Sequence, residues 1–185
     1  MWTKEKMMNE ENCLLTIFGN VNRWLDYAER KNTILFSSFS AFSFFSIISK
    51  HDNNLQQPEV IVTVVLYLFS LFFILLSLFP MTKISRKLLS NGKNRKLLDS
   101  DNLLFYGDIA KYSSDEYLKK IKKQYFPNIK DNKANHDLVD QIVTNSNIAF
   151  NKFSCFKIST ILLFITIIQY FAFAGITLIK GVVKC

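Results

Sequence analysis

Val60-Ile-Val-Thr-Val-Val-Leu-Tyr-Leu-Phe-Ser-Leu-Phe-Phe-Ile-Leu-Leu-Ser-Leu-Phe79 contains no aspartate, glutamate, lysine or arginine. As a helix rising 1.5 Å per residue it would extend about 30 Å, the thickness of a bilayer's hydrocarbon core. Pro58 suits its first turn and Pro80 ends it. Two further stretches, 32–49 and 158–179, are equally free of charge. They would extend about 27 and 33 Å. Three such stretches cannot all be hidden inside a soluble domain of 185 residues. The reading is an all-α integral membrane protein with three transmembrane helices.

The remaining sequence divides around them. Residues 1–31 form an amphipathic arm, 32–80 a two-span hairpin, 81–153 a basic helical segment, and 154–185 the third span with a short tail. Lysine and arginine favour the cytoplasmic side of a membrane. The connection between the first two spans carries a single basic residue, Lys50, whereas 81–153 carries fourteen. This asymmetry puts the N-terminus and the 81–153 segment in the cytoplasm and Cys185 outside. Lys180 and Lys184 on the outer tail are a small exception. The first span is read as an uncleaved helix, because no small-x-small cleavage pattern follows it and the arm before it carries Glu10, Glu11, Asp26 and Glu29.

Composition argues against several functions. The non-membrane part is short for an independent enzyme domain. With only His51 and His136, a zinc site or a histidine-based triad is not supported. Cys13 and Cys155 fall on the cytoplasmic side or its boundary and Cys185 outside, so a disulfide framework is not expected. No metal, cofactor or catalytic residue is implied.

Polar residues within the spans fall in stripes. Thr33, Ser37, Ser40 and Ala41 share one face of the first. Thr63, Ser70 and Ser77 fall seven apart in the second, with Tyr67 on the same side. Ser159, Thr166, Gln169 and Thr177 lie on roughly one side of the third. Such residues face other helices or a water-filled path, and helix packing is the plainer explanation. In the arm, Leu14, Ile17, Phe18, Val21, Trp24, Leu25 and Ala28 recur at helical spacing. That helix either lies on the cytoplasmic headgroups and then turns into the first span, or packs on the chain's own cytoplasmic segment.

The segment after Pro80 opens with a run at 82–96 holding six positive charges, Lys83, Arg86, Lys87, Lys93, Arg95 and Lys96, and no acid. Attraction to anionic lipid explains it. Nucleic acid is not expected, since no aromatic interrupts the run, and no glycine-rich loop suggests a phosphate cradle. Ser113 and Glu116 have capping-box spacing, which predicts a helix from about Ser114 to Lys123 with Leu118 and Ile121 as its apolar face. Gly107 before Asp108 suggests a tight turn or a close backbone approach. A last helix is predicted from about Asp137 to Asn151, with Leu138, Ile142, Ala149 and Phe153 on one side, continuing into the third span.

The block Trp24-Leu-Asp-Tyr-Ala-Glu-Arg-Lys-Asn-Thr33, the span ending Leu78-Phe-Pro80, and Asn102-Leu-Leu-Phe-Tyr-Gly-Asp-Ile-Ala110 follow in order. Tyr117-Leu118, Asp140-Gln-Ile-Val143, Ser146-Asn-Ile-Ala149 and Lys152 come after them. This succession resembles the transmembrane effector family of bacterial Pycsar-type anti-phage systems, over nearly the whole chain from about Asn22. The resemblance implies membrane impairment once a cyclase has made a nucleotide messenger on infection, at the bacterial inner membrane. The matching residues are Ala28, Lys31, Phe105, Gly107, Asp108, Ile109, Tyr117 and Lys152. Phe105, Tyr106, Gly107, Asp108, Ile109 and Tyr117 become candidates for sensing a signal or partner. Two departures stand out: Glu29-Arg30 replaces an expected aspartate, and no separate cyclic-nucleotide-binding domain is visible. Either the cytoplasmic segment takes a cyclic nucleotide itself, or a separate sensor protein does.

Since one copy has three helices, an aqueous path would need a homo-oligomer. The rival reading is a non-catalytic membrane scaffold that recruits a soluble partner through 102–121. A membrane-embedded enzyme would need paired carboxylates or a metal cluster at the cytoplasmic boundary, and the acids are scattered.

Overall fold

The computed structural model describes residues 2–49, 58–78 and 96–183, with the side chains of 12–41, 61–78, 96–173, 175, 176 and 179. Among the described residues every regular element is helical: α1 (Trp2–Ser49), α2 (Pro58–Leu78), α3 (Tyr106–Ile109), α4 (Ser114–Gln124) and α5 (Lys133–Val183). Two compact units divide the chain. One combines Met1–Glu29 with Pro80–Phe153, the other Arg30–Phe79 with Ser154–Cys185. The long helices α1 and α5 contribute to both.

In the first unit, Leu14, Ile17 and Val21 of α1 are buried with Leu103, Ile109, Tyr112, Tyr117, Leu118, Ile121, Ile129, Val139, Ile142 and Val143. The arm therefore packs on the chain's own segment rather than lying by itself on headgroups. Nor does it turn before residue 32. Nothing between Trp24 and Thr33 is glycine or proline, so helix propagation is uninterrupted. Helix α4 begins at a complete capping box. Ser113 Oγ accepts from the Glu116 amide, and the Glu116 carboxylate accepts from the Ser113 amide at 2.9 Å. Helix α5 starts four residues earlier than predicted because Asn132, not a residue near Asp137, is the cap. Its Oδ1 accepts the Asn135 amide at 2.8 Å. An Asn145 to Asn22 side-chain hydrogen bond of 2.8 Å ties α5 to α1.

The second unit is inverted relative to a water-soluble bundle. Asn32, Ser70, Ser77, Ser159 and Thr166 are buried, beside Phe39 and Ile74. Outside are Ile61, Leu68, Phe69 and Phe72 of α2 and Phe164, Ile168, Phe171 and Ile179 of α5, the last four each more than 60% exposed. In α2 and α5, hydroxyls inside and apolar side chains outside suit a lipid solvent, where helices meet through small polar residues. Two described helices are long and apolar enough to cross a membrane. They are α2 over Ile61–Leu78, with mean hydropathy 2.7, and α5 within Lys133–Phe173, at 1.8. Only 17% and 11% of those windows is buried, which is not the state of a soluble core helix. The stretch 32–49 forms the end of α1, and the side chains of 42–49 lie outside the described residues.

Candidate functional site

The segment between Lys96 and α4 has little regular structure, so its backbone groups need other partners. The Asp101 carboxylate supplies one of them and gathers two side chains as well. Its Oδ2 accepts the Leu98 amide at 3.0 Å and the Tyr112 hydroxyl at 2.9 Å, and its Oδ1 accepts Lys111 Nζ at 2.6 Å. Lys111 also pairs with Asp108, one helical turn away, at 2.5 Å. Asp108 Oδ2 in turn accepts the Asn102 amide, and Asn102 Oδ1 the Leu104 amide. The Tyr117 hydroxyl closes the segment on the Leu103 carbonyl at 2.7 Å.

One ammonium thus sits between two carboxylates. Burial alone would raise the Asp101 carboxyl, but the hydrogen bonds from Lys111, Leu98 and Tyr112 hold it below its ordinary value. Hydrogen bonds to Asp101 and Asp108 push Lys111 up. Burial, then Asp101, pushes the Tyr112 phenol up. These shifts fix each group in one protonation state near neutrality, the reverse of what a general acid or base needs. The network is a structural clamp. Among the described residues, no group of three His, Cys, Asp or Glu side chains could hold a metal ion.

The structure separates the sensing candidates into two sets. Ile109 and Tyr117 lie fully in the core, and Gly107 is buried. A Cβ on Gly107 would come within 2.5 Å of the Phe105 ring. A larger residue at 107 would have to displace that partly exposed ring, whereas no turn calls for glycine, since no described glycine has positive φ. Phe105, Tyr106 and Asp108 reach the surface to different degrees. Tyr106 is packed between Trp24 and Phe153, with ring centroids 5.3 Å from each. Ala28 is buried, Lys31 lies 5.4 Å over the Phe156 ring, and buried Lys152 pairs with Glu29 at 3.4 Å.

The polar stripes of α2 and α5 meet each other. Ser70 and Ser159 are clasped reciprocally: each hydroxyl reaches the other residue's carbonyl at 2.8 Å. Asn32 Nδ2 donates to Ser77 Oγ, Gln169 Nε2 donates to Thr63 Oγ1 at 3.3 Å, and the Tyr67 hydroxyl donates to the Phe39 carbonyl at 2.9 Å. Thr166 turns its hydroxyl back to the Leu162 carbonyl of its own helix. On α1, Ser37 and Ser40 also bond back to their own helix, yet Thr33, Ser37, Ser40 and Ala41 form an exposed face. Lys83, Arg86, Lys87, Lys93 and Arg95 lie outside the described residues, as does the side chain of Thr177, while Lys96 is exposed.

Sequence reasoning missed Asp101, Lys111 and Tyr112. They are ten and eleven residues apart, a spacing that signals no particular contact. Neither a curated protein nor a solved structure matches the chain. A family model described as the Pycsar effector protein domain, PycTM, does match, over residues 13–179. That span takes in the arm from Cys13, α2, the Asp101 clamp, the Phe105–Ala110 motif and the apolar length of α5, and the chain belongs to the Pycsar effector protein domain family.

Proposed function

We propose that this chain is the membrane effector of an anti-phage system, crossing the bacterial inner membrane three times with 32–49 as the first span. Triggered by a nucleotide second messenger, it impairs membrane integrity through self-association. The observation that carries this reading is the inverted second unit. Its apolar exterior suits lipid, while Ser70, Ser77, Ser159 and Thr166 are fully buried within one copy. At these four positions a single copy therefore offers no polar path, so permeability there requires rearrangement or several copies. That is the resting state a lethal effector needs. The exposed Thr33, Ser37, Ser40 and Ala41 face of α1 is the surface for self-association, where hydroxyls and small side chains let backbones approach. Phe105, Tyr106 and Asp108 carry the surface of the sensing segment. Whether the cyclic nucleotide binds there or on a separate sensor protein decides how the trigger arrives.

The test is membrane potential in bacteria expressing the chain, with and without its neighbouring genes and phage. Depolarisation only on infection is the expected result. An unchanged potential, with the protein confirmed in the membrane, would favour the scaffold reading and sink this one.

A further inference from the structure

Three bases, Arg30, Lys31 and Lys157, gather at one end of the second unit. Arg30 and Lys31 directly precede the charge-free stretch 32–49 on α1, and Lys157 directly precedes 158–179 on α5. The two helices meet there, with Lys31 Nζ 5.4 Å over the ring of Phe156, the residue before Lys157. In sequence, the unit's acids, Asp52 and Glu59, come only after the end of α1 and at the start of α2. Among the described residues no carboxylate pairs with Arg30 or Lys157, and Glu29, next to Arg30 in sequence, is engaged by Lys152 at 3.4 Å. Both Arg30 and Lys157 are exposed.

The side chains one turn further along say which anion fits. Ile34 follows Arg30 by four residues and is 67% exposed. Ile161 follows Lys157 by four and is 49% exposed, and Phe164 and Ile168 continue the same face at seven and eleven residues. Each exposed base therefore heads an exposed apolar stripe, about 6 Å above its first isoleucine. A phospholipid presents the same succession, a phosphate followed a few ångströms deeper by acyl chains. A soluble anion would satisfy the bases and leave the stripes bare. Arginine's planar fork suits phosphate oxygens, and the long stems of both bases can lie along apolar surface while their charge stays at the headgroups. Lys31, placed over the Phe156 ring, adds positive charge between the two helices.

We infer that Arg30, Lys31 and Lys157 form a binding site for anionic phospholipid. Arg30 and Lys157 take the phosphates, and the acyl chains run down Ile34 on α1 and down Ile161 and Phe164 on α5. On this inference, which rests on the spanning reading above, lipid charge fixes the depth at which the first and third spans begin. All the residues involved belong to the second unit.

The experiment uses the full chain carrying Trp2→Phe/Trp24→Phe/Ile161→Trp, whose sole tryptophan reports from the stripe below Lys157. It is reconstituted in equimolar phosphatidylcholine–phosphatidylglycerol vesicles in which one lipid or the other carries brominated acyl chains. Both lipids are expected to quench, with phosphatidylglycerol favoured roughly fivefold beside the reporter, the factor that one nearby base is worth. Adding Arg30→Gln/Lys157→Gln is expected to bring that preference to about one, whereas the charge-keeping pair Arg30→Lys/Lys157→Arg is expected to retain it. Equal quenching by the two lipids in the parent chain, or a preference that survives the glutamine pair, overturns the site but leaves the spanning reading standing. Quenching by neither lipid overturns both.

Discussion

Gly107 and Asp101 do most to shape the segment, and neither acts through the chemistry its residue type first suggests. Glycine next to aspartate reads as a turn, but the constraint on Gly107 is the Phe105 ring lying against its Cα. Gly107→Ala is therefore expected to destabilise by about 1–3 kcal/mol, the usual cost of overpacking. In the double variant with Phe105→Ala that penalty is expected to vanish, because its obstacle is gone. Thermal unfolding of the detergent-solubilised chain measures both, and a penalty that survives in the double variant rules out the ring as its cause. For Asp101, the folded carboxyl is lowered from 3.8, so its contribution is present above the unfolded value and lost as pH falls through the folded one. Lys111 is raised from 10.5, so its contribution is complete below that value and lost only as pH rises through the higher folded one. The clamp is accordingly expected to add no pH dependence to stability between about pH 5 and 9. Asp101→Asn is expected to cost about 2 kcal/mol and to reduce the acid-side loss, leaving the part that Asp99 and Asp131 contribute. An unchanged acid limb in that variant would falsify this assignment. The motif around Gly107 was visible in the sequence, whereas Asp101 was not, because its partners are chosen by a loop path that no periodicity encodes.

Helix α4 was legible because its signal is local: a cap, an acid three residues on and two apolar positions all fit within nine residues. Replacing Ser113 by alanine removes the acceptor for the Glu116 amide and is expected to cost about 1 kcal/mol. Amide exchange at Glu116 reads that loss directly and should accelerate about fivefold, and an unchanged rate would mean that the box is not holding the helix start. The long helices were less legible at their joints. Composition suggests a break wherever polarity changes, and α1 changes abruptly at Asn32. Backbone propensity does not register that change, since glutamate, arginine, lysine and leucine all favour helix. The start of α5 was misplaced because the apolar spacing begins only at Leu138, and only the folded chain shows Asn132 accepting the Asn135 amide.

At the scale of the whole chain, the seven-residue spacing of Thr63, Ser70 and Ser77 showed which face of α2 is polar. It could not show which helix that face meets, because partner choice belongs to packing and not to period. The Ser70–Ser159 clasp now gives the stripe a specific role in the resting protein. Each hydroxyl reaches a carbonyl of the opposite helix, so the two backbones approach closely and no water-sized gap separates them there. If the resting effector is sealed by this contact, weakening it lowers the barrier to opening. Interhelical hydrogen bonds in membranes are worth on the order of 1 kcal/mol, so each serine-to-alanine change alone is expected to shift the balance severalfold without unfolding the unit. The double variant Ser70→Ala/Ser159→Ala is expected to depolarise cells partially without infection, and Gln169→Leu, which loses only a 3.3 Å bond to Thr63, to do so less. Membrane potential in uninfected cells, normalised to protein in the membrane fraction, separates the alternatives. A silent double variant that still depolarises on infection would place the seal elsewhere, and the exposed hydroxyl face of α1 would be the next position to alter.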